Sequence, residues 1–398
     1  MKVLLSYSGG LDTSLLIPWL IDQGHDVVCF MADLGQKDDL SGLAQKALDA
    51  GAEDVVISDL KEEFTNEFVA PAVKFNGLYE EAYPLGTALA RYPLARALVK
   101  EARNRNIPVI AHGCTGKGND QVRFEIALAC LAPDIEVWAP MRDWGATRLQ
   151  LMELAEEMGI AVDATVDRPY SVDENLWSRS VEGGALEEPG LAPPEHVFEW
   201  TAPPDKAGSL EISIEFQQGL PVALNGEAMA LIELIERLNA LAGRAGVGRI
   251  DHLESRMIGL KSREVYEAPA AITVLRAHKW LEKAVFPPDV LSDKAHVDRR
   301  LSEMAFRGLW FTSLTEAHLA FVDVLSKRVS GNVKMRLSHG RVDVMGIESD
   351  EMLYSKNVIS FDTNEFDGTW SKGFIRISAM AWKTAAEVYG GKDRDSVG

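Results

Sequence analysis

Residues 8–14 of this chain, SGGLDTS, directly follow a short apolar run at residues 3–6. The run predicts a buried strand, and residues 14–23 (SLLIPWLIDQ) predict a helix. Gly9 and Gly10 have no Cβ atoms, so their backbone N–H groups can close around a phosphate at the positive end of that helix. The strand, the glycine turn and the helix therefore predict the first unit of an α/β fold, with an anion site at the turn.

Polar side chains surround the two glycines. Ser8, Thr13 and Ser14 add hydroxyl donors, and Asp12 is placed either to hold Mg²⁺ or to orient the loop. A tight turn without a ligand is the alternative, and it fits two glycines better than it fits the DTS that follows them. Pro18 falls early in the predicted helix, where it predicts a kink or a place in the opening turns.

Strand-like and helical stretches alternate beyond this turn. Further strands are predicted at residues 27–32, 55–58, 109–111 and 135–138, and further helices at residues 39–50, from Glu62, at 94–104 and at 120–131. Such alternation is typical of a doubly wound, mainly parallel sheet that binds ligands at the carboxyl ends of its strands. We predict that residues 1–167 form an α/β nucleotide-binding domain.

The pattern changes near Arg168, and residues 187–206 are rich in Pro, Glu and Ala. Hairpin strands are predicted at residues 210–216 with 221–224 and at 333–337 with 342–346, and helices from about Glu227, Ala270, Lys294 and Thr315. We predict an α+β domain over residues 168–362 and a helical tail over 363–398. The tail's final helix, near residues 374–389, is expected to pack against a partner subunit.

Composition narrows the classes of function. Lys and Arg number 41 against 60 Asp and Glu, a formal charge of −19, which argues against an extended nucleic-acid surface. Three widely spaced cysteines form neither a disulfide framework nor a zinc motif. No stretch approaches the roughly 20 apolar residues of a membrane span. These features predict a cytoplasmic protein without membrane or nucleic-acid partners and without a dedicated metal site.

Two common phosphate-binding motifs are incomplete in this chain. The pattern GxxxxGK[ST] needs Gly at 111 and Ser or Thr at 118, where the chain has Ala111 and Gly118. The pattern GxGxxG fits Gly116 and Gly118 but meets Gln121 at its last glycine. A kinase or a P-loop hydrolase is therefore disfavoured.

The SGGLDTS turn resembles the loop of the ATP pyrophosphatase superfamily, whose members attack the α-phosphate of ATP and release pyrophosphate. The resemblance implies an adenine nucleotide alpha-hydrolase-like domain. It also implies contacts to ATP from Ser6, Tyr7, Ser8, Gly9, Gly10, Leu11, Asp12, Thr13, Ser14, Ala32 and Gly113. The turn alone does not choose between tRNA-modifying enzymes, amidotransferase synthetases and amino-acid ligases.

A second glycine-rich segment, HGCTGKGNDQVRFE at residues 112–125, runs from a predicted strand into a predicted helix. Thr115, Lys117 and the following amides therefore lie at another anion-accepting helix start. Asn119 and Arg123 are four residues apart on one helix face, where an amide and a guanidinium can read a carboxylate. Asp120 is available for an α-ammonium group.

That segment, together with YPLGTALAR (83–91), YSVDENLWSRSVEGG (170–184), ESRMIGLKSREVYEAPA (254–270) and ADLGQ (32–36), resembles the argininosuccinate synthase family over most of the chain up to about residue 270. The resemblance implies aspartate contacts from Thr115, Asn119 and Asp120. It implies citrulline contacts from Tyr83, Asn119, Arg123, Ser171, Ser180, Glu254 and Tyr266. The family commonly has LGTS where this chain has LGTA, so Ala88 offers no hydroxyl, and Thr87 or a backbone amide is the candidate replacement.

The implied reaction joins L-citrulline to L-aspartate in arginine biosynthesis. Citrulline's ureido oxygen attacks Mg-ATP to give a citrullyl-adenylate and pyrophosphate, and aspartate's amine then displaces AMP. Asp12, Lys117 and Asp120 are the predicted catalytic residues, Mg²⁺ is expected to arrive with ATP, and the family implies a homotetramer. Two other interpretations stay open at this point: a tRNA base as the acceptor, and a non-catalytic sensor of AMP or ATP.

Overall fold

In the computed structural model, strands and helices alternate along the first 160 residues. The structure describes residues 1–145, 148–160, 170–363 and 365–393. Its strands are β1 (Lys2–Ser6), β2 (Asp26–Asp33), β3 (Asp54–Asp59), β4 (Val109–His112), β5 (Glu136–Trp138), β6 (Tyr170–Glu174), β7 (Arg179–Gly183), β8 (Ser209–Gln217), β9 (Leu220–Leu224), β10 (Glu227–Ala228), β11 (Arg249–Ser255), β12 (Lys261–Glu267), β13 (Gly331–Ser338) and β14 (Arg341–Glu348). Its α-helices are α1 (Leu11–Asp22), α2 (Leu40–Asp49), α3 (Lys61–Phe64), α4 (Ala70–Lys74), α5 (Gly86–Arg105), α6 (Asp120–Leu131), α7 (Pro140–Trp144), α8 (Arg148–Glu157), α9 (Leu231–Arg244), α10 (Pro269–Val285), α11 (Pro288–Phe306), α12 (Ser313–Ser326), α13 (Lys356–Ile359) and α14 (Thr369–Asp393).

The first five strands form a parallel sheet in the order β3-β2-β1-β4-β5. In register, Ser6 at the end of β1 is level with Phe30 on β2 and with His112 on β4. The chain builds outward from β1 through β2 to β3 and then returns to place β4 on the other side of β1. The predicted doubly wound parallel sheet is confirmed, and its strand order reverses between β1 and β4, where sheets of this kind bind ligands.

Both faces of this sheet are buried, because alternate residues of each strand pack into two different hydrophobic cores. Val3 and Leu5 pack with α1 and α8 on one face. Leu4 packs on the other face, in a core that contains residues of α5 and α6 and extends to Ile214 on β8 and Val333 on β13. Burial on both faces explains why β1 appears in the sequence as a continuous apolar run.

Several helix starts differ from the sequence-based expectation; among them, the helix predicted from Lys294 starts at Pro288. Helix α1 begins at Leu11 rather than residue 14, because Gly10 takes an extended conformation and serves as the N-cap. Helix α5 begins at Gly86 rather than residue 94 and continues through Pro93, since tertiary burial of most of its residues outweighs the proline's local cost. Glu227 belongs to the short strand β10, and the helix predicted from it starts at Leu231. Pro18 lies inside α1.

Two antiparallel sheets and several helices make up the rest of the first unit, which ends at Met352. One sheet has the order β10-β9-β8-β13-β14 and contains both predicted hairpins, and the other has the order β11-β12-β7-β6. The predicted α+β character is confirmed. The predicted domain boundary at residues 167 and 168 lies outside the described residues and stays a prediction.

Residues 353–398 form a second unit, in which α13 and α14 are the described helices. Helix α14 confirms the predicted terminal helix and exposes large apolar side chains along its length, including Trp370, Phe374, Ile377 and Trp382. Among the described residues, no helix combines the length and apolar character needed to cross a membrane.

Candidate active site

The glycine turn after β1 is compact and polar. Gly10 is the N-cap of α1, so the first amides of this helix have no acceptor within the helix and can bind an anion. Thr13 Oγ1 donates to Gly10 O (3.3 Å) and lies 3.2 Å from Ser8 Oγ. The last four residues of SGGLDTS thus form the first helical turn, and only its first three residues are loop. Asp12, the second helical residue, is partly exposed at this end of the helix.

Gly9 is the most constrained residue of this turn. Its φ is +76°, in the left-handed region that glycine adopts without strain. A Cβ atom added there would lie 2.4 Å from Leu43 Cδ2 of α2. The absence of a side chain at Gly9 therefore sets both the backbone path of the turn and its close packing on α2.

The second glycine-rich loop begins beside the first, because β4 is the neighbour of β1. A Cβ atom at Gly113 would lie 2.7 Å from Thr13 Cγ2, so the two loops are in contact. Gln121 Nε2 donates to Gly116 O (2.7 Å), which ties the loop to α6. Arg256 Nη1 donates to Lys117 O (2.7 Å), which ties it to the turn between β11 and β12. The loop thus starts beside the SGGLDTS turn (residues 8–14) and ends, at Gly118, in a second cleft.

That cleft is lined by side chains of the four-stranded sheet together with α6. Residues two apart on one strand share a face of the sheet. Accordingly Ser171 with Asp173 on β6, Ser180 with Glu182 on β7, and Glu264 with Tyr266 on β12 all line it. The strand register sets Tyr266 beside Ser180 and Glu264 beside Glu182. The predicted residues Ser171, Ser180 and Tyr266 are therefore brought together.

Glu254 is the most buried carboxylate of this site, with 1% of its surface exposed. Its Oε1 accepts from Asn119 Nδ2 (3.0 Å), and its Oε2 accepts from Tyr266 OH (2.7 Å). Asn119 Oδ1 in turn accepts from Met257 N (2.9 Å). Burial, reinforced by the nearby Glu264 carboxylate, raises the pKa of Glu254 to about 7. These bonds join the end of the second glycine loop to β11 and β12.

Arg123 and Arg91 hold Asp120 from two sides. Arg123 Nη1 and Arg91 Nη2 each lie 2.8 Å from a different oxygen of Asp120, and Arg91 also pairs with Asp173. Although burial raises it, the two guanidinium groups hold the pKa of Asp120 well below its usual range. Arg123 is itself buried, donates to Phe306 O (2.8 Å) and lies over the Phe306 ring. Asp120 is therefore an ionised carboxylate with a fixed orientation.

Two tyrosines form the aromatic wall of the cleft. The rings of Tyr83 and Tyr266 stack with centroids 4.3 Å apart. Ala88, at the position where the sequence lacks the family's serine, is fully buried, and its backbone N donates to Tyr83 OH (3.1 Å). Thr87 lines the cleft instead, with its Oγ1 3.2 Å from Ser180 Oγ. A hydroxyl is thus present one residue before Ala88.

The predicted site residues fall into two neighbouring groups. One surrounds the nucleotide turn: Ser6, Tyr7, Ser8, Gly9, Gly10, Leu11, Asp12, Thr13, Ser14 and Gly113, with Ala32 at the end of the adjacent strand β2. Tyr7 and Leu11 have buried side chains, and Tyr7 N donates to Phe30 O of β2 (2.9 Å). Thr115 and Lys117 lie exposed on the connecting loop. The other group, around the cleft, comprises Tyr83, Asn119, Asp120, Arg123, Ser171, Ser180, Glu254 and Tyr266.

One sequence-based expectation takes a different form in the structure. Asn119 and Arg123 were expected to read a carboxylate side by side. The Asn119 amide is instead bonded to Glu254 and to the backbone of Met257, and Arg123 to Asp120 and the backbone of Phe306. Both groups are satisfied by protein partners, so a shared contact to a substrate carboxylate stays a prediction.

Sequence reasoning did not single out several charged residues that lie at the cleft: Arg91, Asp173, Glu182, Arg256 and Glu264. All five lie inside stretches that carried the family resemblance. Strand alternation was the available signal, because Asp173, Glu182 and Glu264 are each two residues from a predicted contact. Arg91 and Arg256 had no such signal, since their partners are distant in sequence.

Comparisons with known proteins agree over nearly the whole chain. The model of the arginosuccinate synthase N-terminal HUP domain matches residues 2–161, and that of the arginosuccinate synthase C-terminal domain matches residues 170–385. A Rubrobacter xylanophilus protein named argininosuccinate synthase is 46% identical over 389 residues, which cover 96% of this chain and 95% of the relative. Proteins of the same name from Lactococcus lactis (44% identical; 97% and 98% covered) and Pyrococcus furiosus (46%; 96% and 93%) are similarly close. This chain belongs to the argininosuccinate synthase family.

Proposed function

We propose that this chain is an AMP-forming ligase, argininosuccinate synthase (EC 6.3.4.5), which joins L-citrulline and L-aspartate at the expense of ATP. One observation carries the proposal for this chain's own residues: a single loop connects the nucleotide turn to the amino-acid cleft. Gly113 packs on Thr13 of the turn, and six residues later Asn119 is bonded to Glu254 in the cleft. A nucleotide bound at one end of this loop is therefore close to an amino acid bound at the other.

ATP binds at the glycine turn in this proposal. The amides at the start of α1 and the hydroxyls of Ser8 and Thr13 bind its phosphates. Asp12 is the residue that would hold Mg²⁺, which would arrive with the nucleotide, since Mg²⁺ prefers one or two carboxylates together with phosphate oxygens and water. Lys117, on the connecting loop, stabilises the charge that develops as pyrophosphate leaves.

Citrulline lies in the cleft with its ureido group toward the nucleotide turn. Glu254 binds its α-ammonium, Tyr83 and Tyr266 pack on its methylene chain, and the Thr87, Ser171 and Ser180 hydroxyls are placed for its polar groups. The ureido oxygen attacks the α-phosphorus, and the bond to pyrophosphate breaks. The chain's main contribution is alignment of the two substrates, for which effective molarity supplies about 7–11 kcal/mol of the barrier.

Aspartate enters last, at the exposed part of the second glycine loop. Asp120, held ionised by Arg91 and Arg123, attracts its α-ammonium, and Thr115 and Asn119 bind its carboxylate end. Its amine, after losing a proton, attacks the ureido carbon to form the new C–N bond. The C–O bond to the adenylate then breaks, and AMP leaves with the former ureido oxygen. The loop thus places the second nucleophile on the adenylated group.

The test follows one oxygen atom through the reaction. Citrulline labelled with ¹⁸O in its ureido group is incubated with the protein, ATP, Mg²⁺ and aspartate, and the products are analysed by mass spectrometry. We expect pyrophosphate release that depends on citrulline, and one ¹⁸O atom in AMP. Release of ADP, or unlabelled AMP, would contradict the proposal.

A substitution at Gly9 tests the nucleotide role of the turn. Gly9→Ala should raise the KM for ATP about tenfold or more, because a left-handed alanine is strained by about 1 kcal/mol and its Cβ collides with Leu43. Gly24→Ala is the matched control: its φ is +81°, but a Cβ there meets no atom within 4 Å. The control should lose similar stability in a thermal melt and keep its KM for ATP. Equal KM values for ATP in the two variants would contradict this role.

The two other interpretations of the sequence lose their support with the family assignment. A tRNA acceptor is also disfavoured by the net charge of −19, and a nucleotide sensor would not need the amino-acid cleft. Titration with tRNA at low salt, followed by filter binding, should show no specific retention.

Assembly and location extend the proposal. We place the enzyme in the cytoplasm, where its unpaired cysteines Cys29, Cys114 and Cys130 would stay reduced. The large apolar side chains of α14 are exposed. This supports a homotetramer, because contact with other subunits would bury them. Sedimentation equilibrium should give about four times the chain mass, and truncation before α14 should lower it.

A further inference from the structure

Tyr266 makes two short contacts that a single phenol hydrogen cannot both supply. Its OH lies 2.7 Å from Glu254 Oε2 and 2.8 Å from Glu264 Oε2. A phenol donates one hydrogen, and an ionised carboxylate donates none. Both contacts are full hydrogen bonds only when one carboxyl group supplies the second hydrogen, so the two short distances point to an array of Glu254, Tyr266 and Glu264 that holds one proton more than two carboxylates would.

The surrounding positive charges are already engaged with other partners. Arg123 of α6 pairs with Asp120 and with Phe306 O. Arg256, in the turn after β11, pairs with Glu182 of β7 and Lys117 O and lies 3.5 Å from Glu264. The neighbouring tyrosines Tyr83 and Tyr79 are neutral, because burial raises the pKa of each. Each guanidinium thus pairs with a nearer carboxylate. If Glu254 and Glu264 were both ionised, they would have one positive charge too few between them.

We propose that Glu264 is a positioning residue for citrulline, which shares one proton with Glu254 through Tyr266 in the empty site and gives it up when citrulline's α-ammonium binds. This inference rests on the proposed function. The ammonium supplies the missing positive charge, so both carboxyls are ionised in the complex and the proton passes to solvent. Glu264, which is 14% exposed against 1% for Glu254, lies on the solvent side of the array.

The extra proton of the array must leave before the ammonium binds, and the sign of the pH dependence follows from this. A site that must lose a proton to bind its ligand binds more tightly as pH rises. The kcat/KM for citrulline should therefore rise about tenfold per pH unit below an apparent pKa near 7 and stay level above it. This is the value to which burial and the Glu264 carboxylate raise the pKa of Glu254. Neither the α-carboxylate nor the ureido group of citrulline titrates in this range.

The decisive variant is Glu264→Gln, assayed between pH 5.5 and 8.5 at saturating Mg-ATP and aspartate. Without the second carboxyl, Glu254 ionises more easily, so the midpoint of the profile should move down by at least one pH unit. At pH 8.5 the variant should bind citrulline more weakly than the parent protein, because one attracting charge is lost. Glu211→Gln, a matched exchange at an exposed glutamate of β8 that pairs with Arg336 and touches neither Tyr266 nor Arg256, should leave the midpoint within about 0.3 units.

An unchanged midpoint in Glu264→Gln, whatever its rate, would overturn the proposal, because a purely structural residue alters rates and leaves the titration in place. Calorimetry of citrulline binding at pH 7 in phosphate and in Tris provides a second readout. Proton release should make the parent protein's binding enthalpy depend on the buffer, and the dependence should largely disappear in Glu264→Gln. If the parent protein releases no pyrophosphate in response to citrulline at any pH, the proposed function itself fails.

Discussion

Replacing Arg123 by alanine should lower the kcat/KM for citrulline about a thousandfold and leave the KM for ATP within about threefold of its original value. Arg123 is buried, neutralises Asp120 and lies near Glu254. The variant leaves Asp120 with Arg91 alone, removes the donor to Phe306 O and takes away a guanidinium that offsets the charge of Glu254, so the cleft loses the arrangement of charges that orients citrulline. The nucleotide turn contains none of these contacts, so steady-state kinetics with each substrate varied in turn should separate the two effects.

Two further variants control for charge and for folding. Arg123→Lys keeps a cation but loses the planar group that reaches Asp120 and Phe306 O together, so we expect an intermediate loss. Arg103→Ala removes an exposed guanidinium 3.5 Å from Asp134 and should change neither KM. If Arg123→Ala raises the KM for ATP as much as that for citrulline, Arg123 does not act in the amino-acid cleft.

The largest loss of stability is expected from Glu267→Ala. Glu267 is fully buried at the end of β12 and accepts from the backbone N atoms of residues 199, 200 and 201, each at 2.9 Å. It also accepts from Thr201 Oγ1 (2.7 Å) and pairs with Arg179 (3.0 Å). Alanine would leave the three backbone N–H groups and the Thr201 hydroxyl without this acceptor, and Arg179, which also donates to Val197 O and Glu199, would lose its buried carboxylate. The free energy of unfolding should therefore fall by about 3–5 kcal/mol.

Urea denaturation followed by circular dichroism measures this loss. Glu267→Gln keeps the size of the side chain but removes its charge and one acceptor, so its loss should be smaller than that of Glu267→Ala. Glu211→Ala breaks an exposed ion pair with Arg336 and should change the free energy by less than about 1 kcal/mol. A similarly small change in Glu267→Ala would show that other contacts hold residues 199–201 on β12.

Local patterns in the sequence were sufficient for much of the fold. The parallel sheet, the nucleotide turn and both predicted hairpins follow from apolar periodicity and glycine positions, which act over a few residues. The starts of α1 and α5 were less predictable. Gly10 continues directly into a helix, and α5 tolerates Pro93 because its surroundings are buried. Tertiary packing decided these boundaries.

The candidate site divides in the same way. SGGLDTS by itself predicts a phosphate site, because its amides and hydroxyls are adjacent in the chain. The cleft is different, since Asn119 meets Glu254 across 135 residues and Arg91 meets Asp173 across 82. Strand alternation places Glu264 and Tyr266 on one face, but only the packing of β11 beside β12 brings Glu254 to the same phenol. The protonation of that group depends on distances between charges, and those distances exist only in the folded chain.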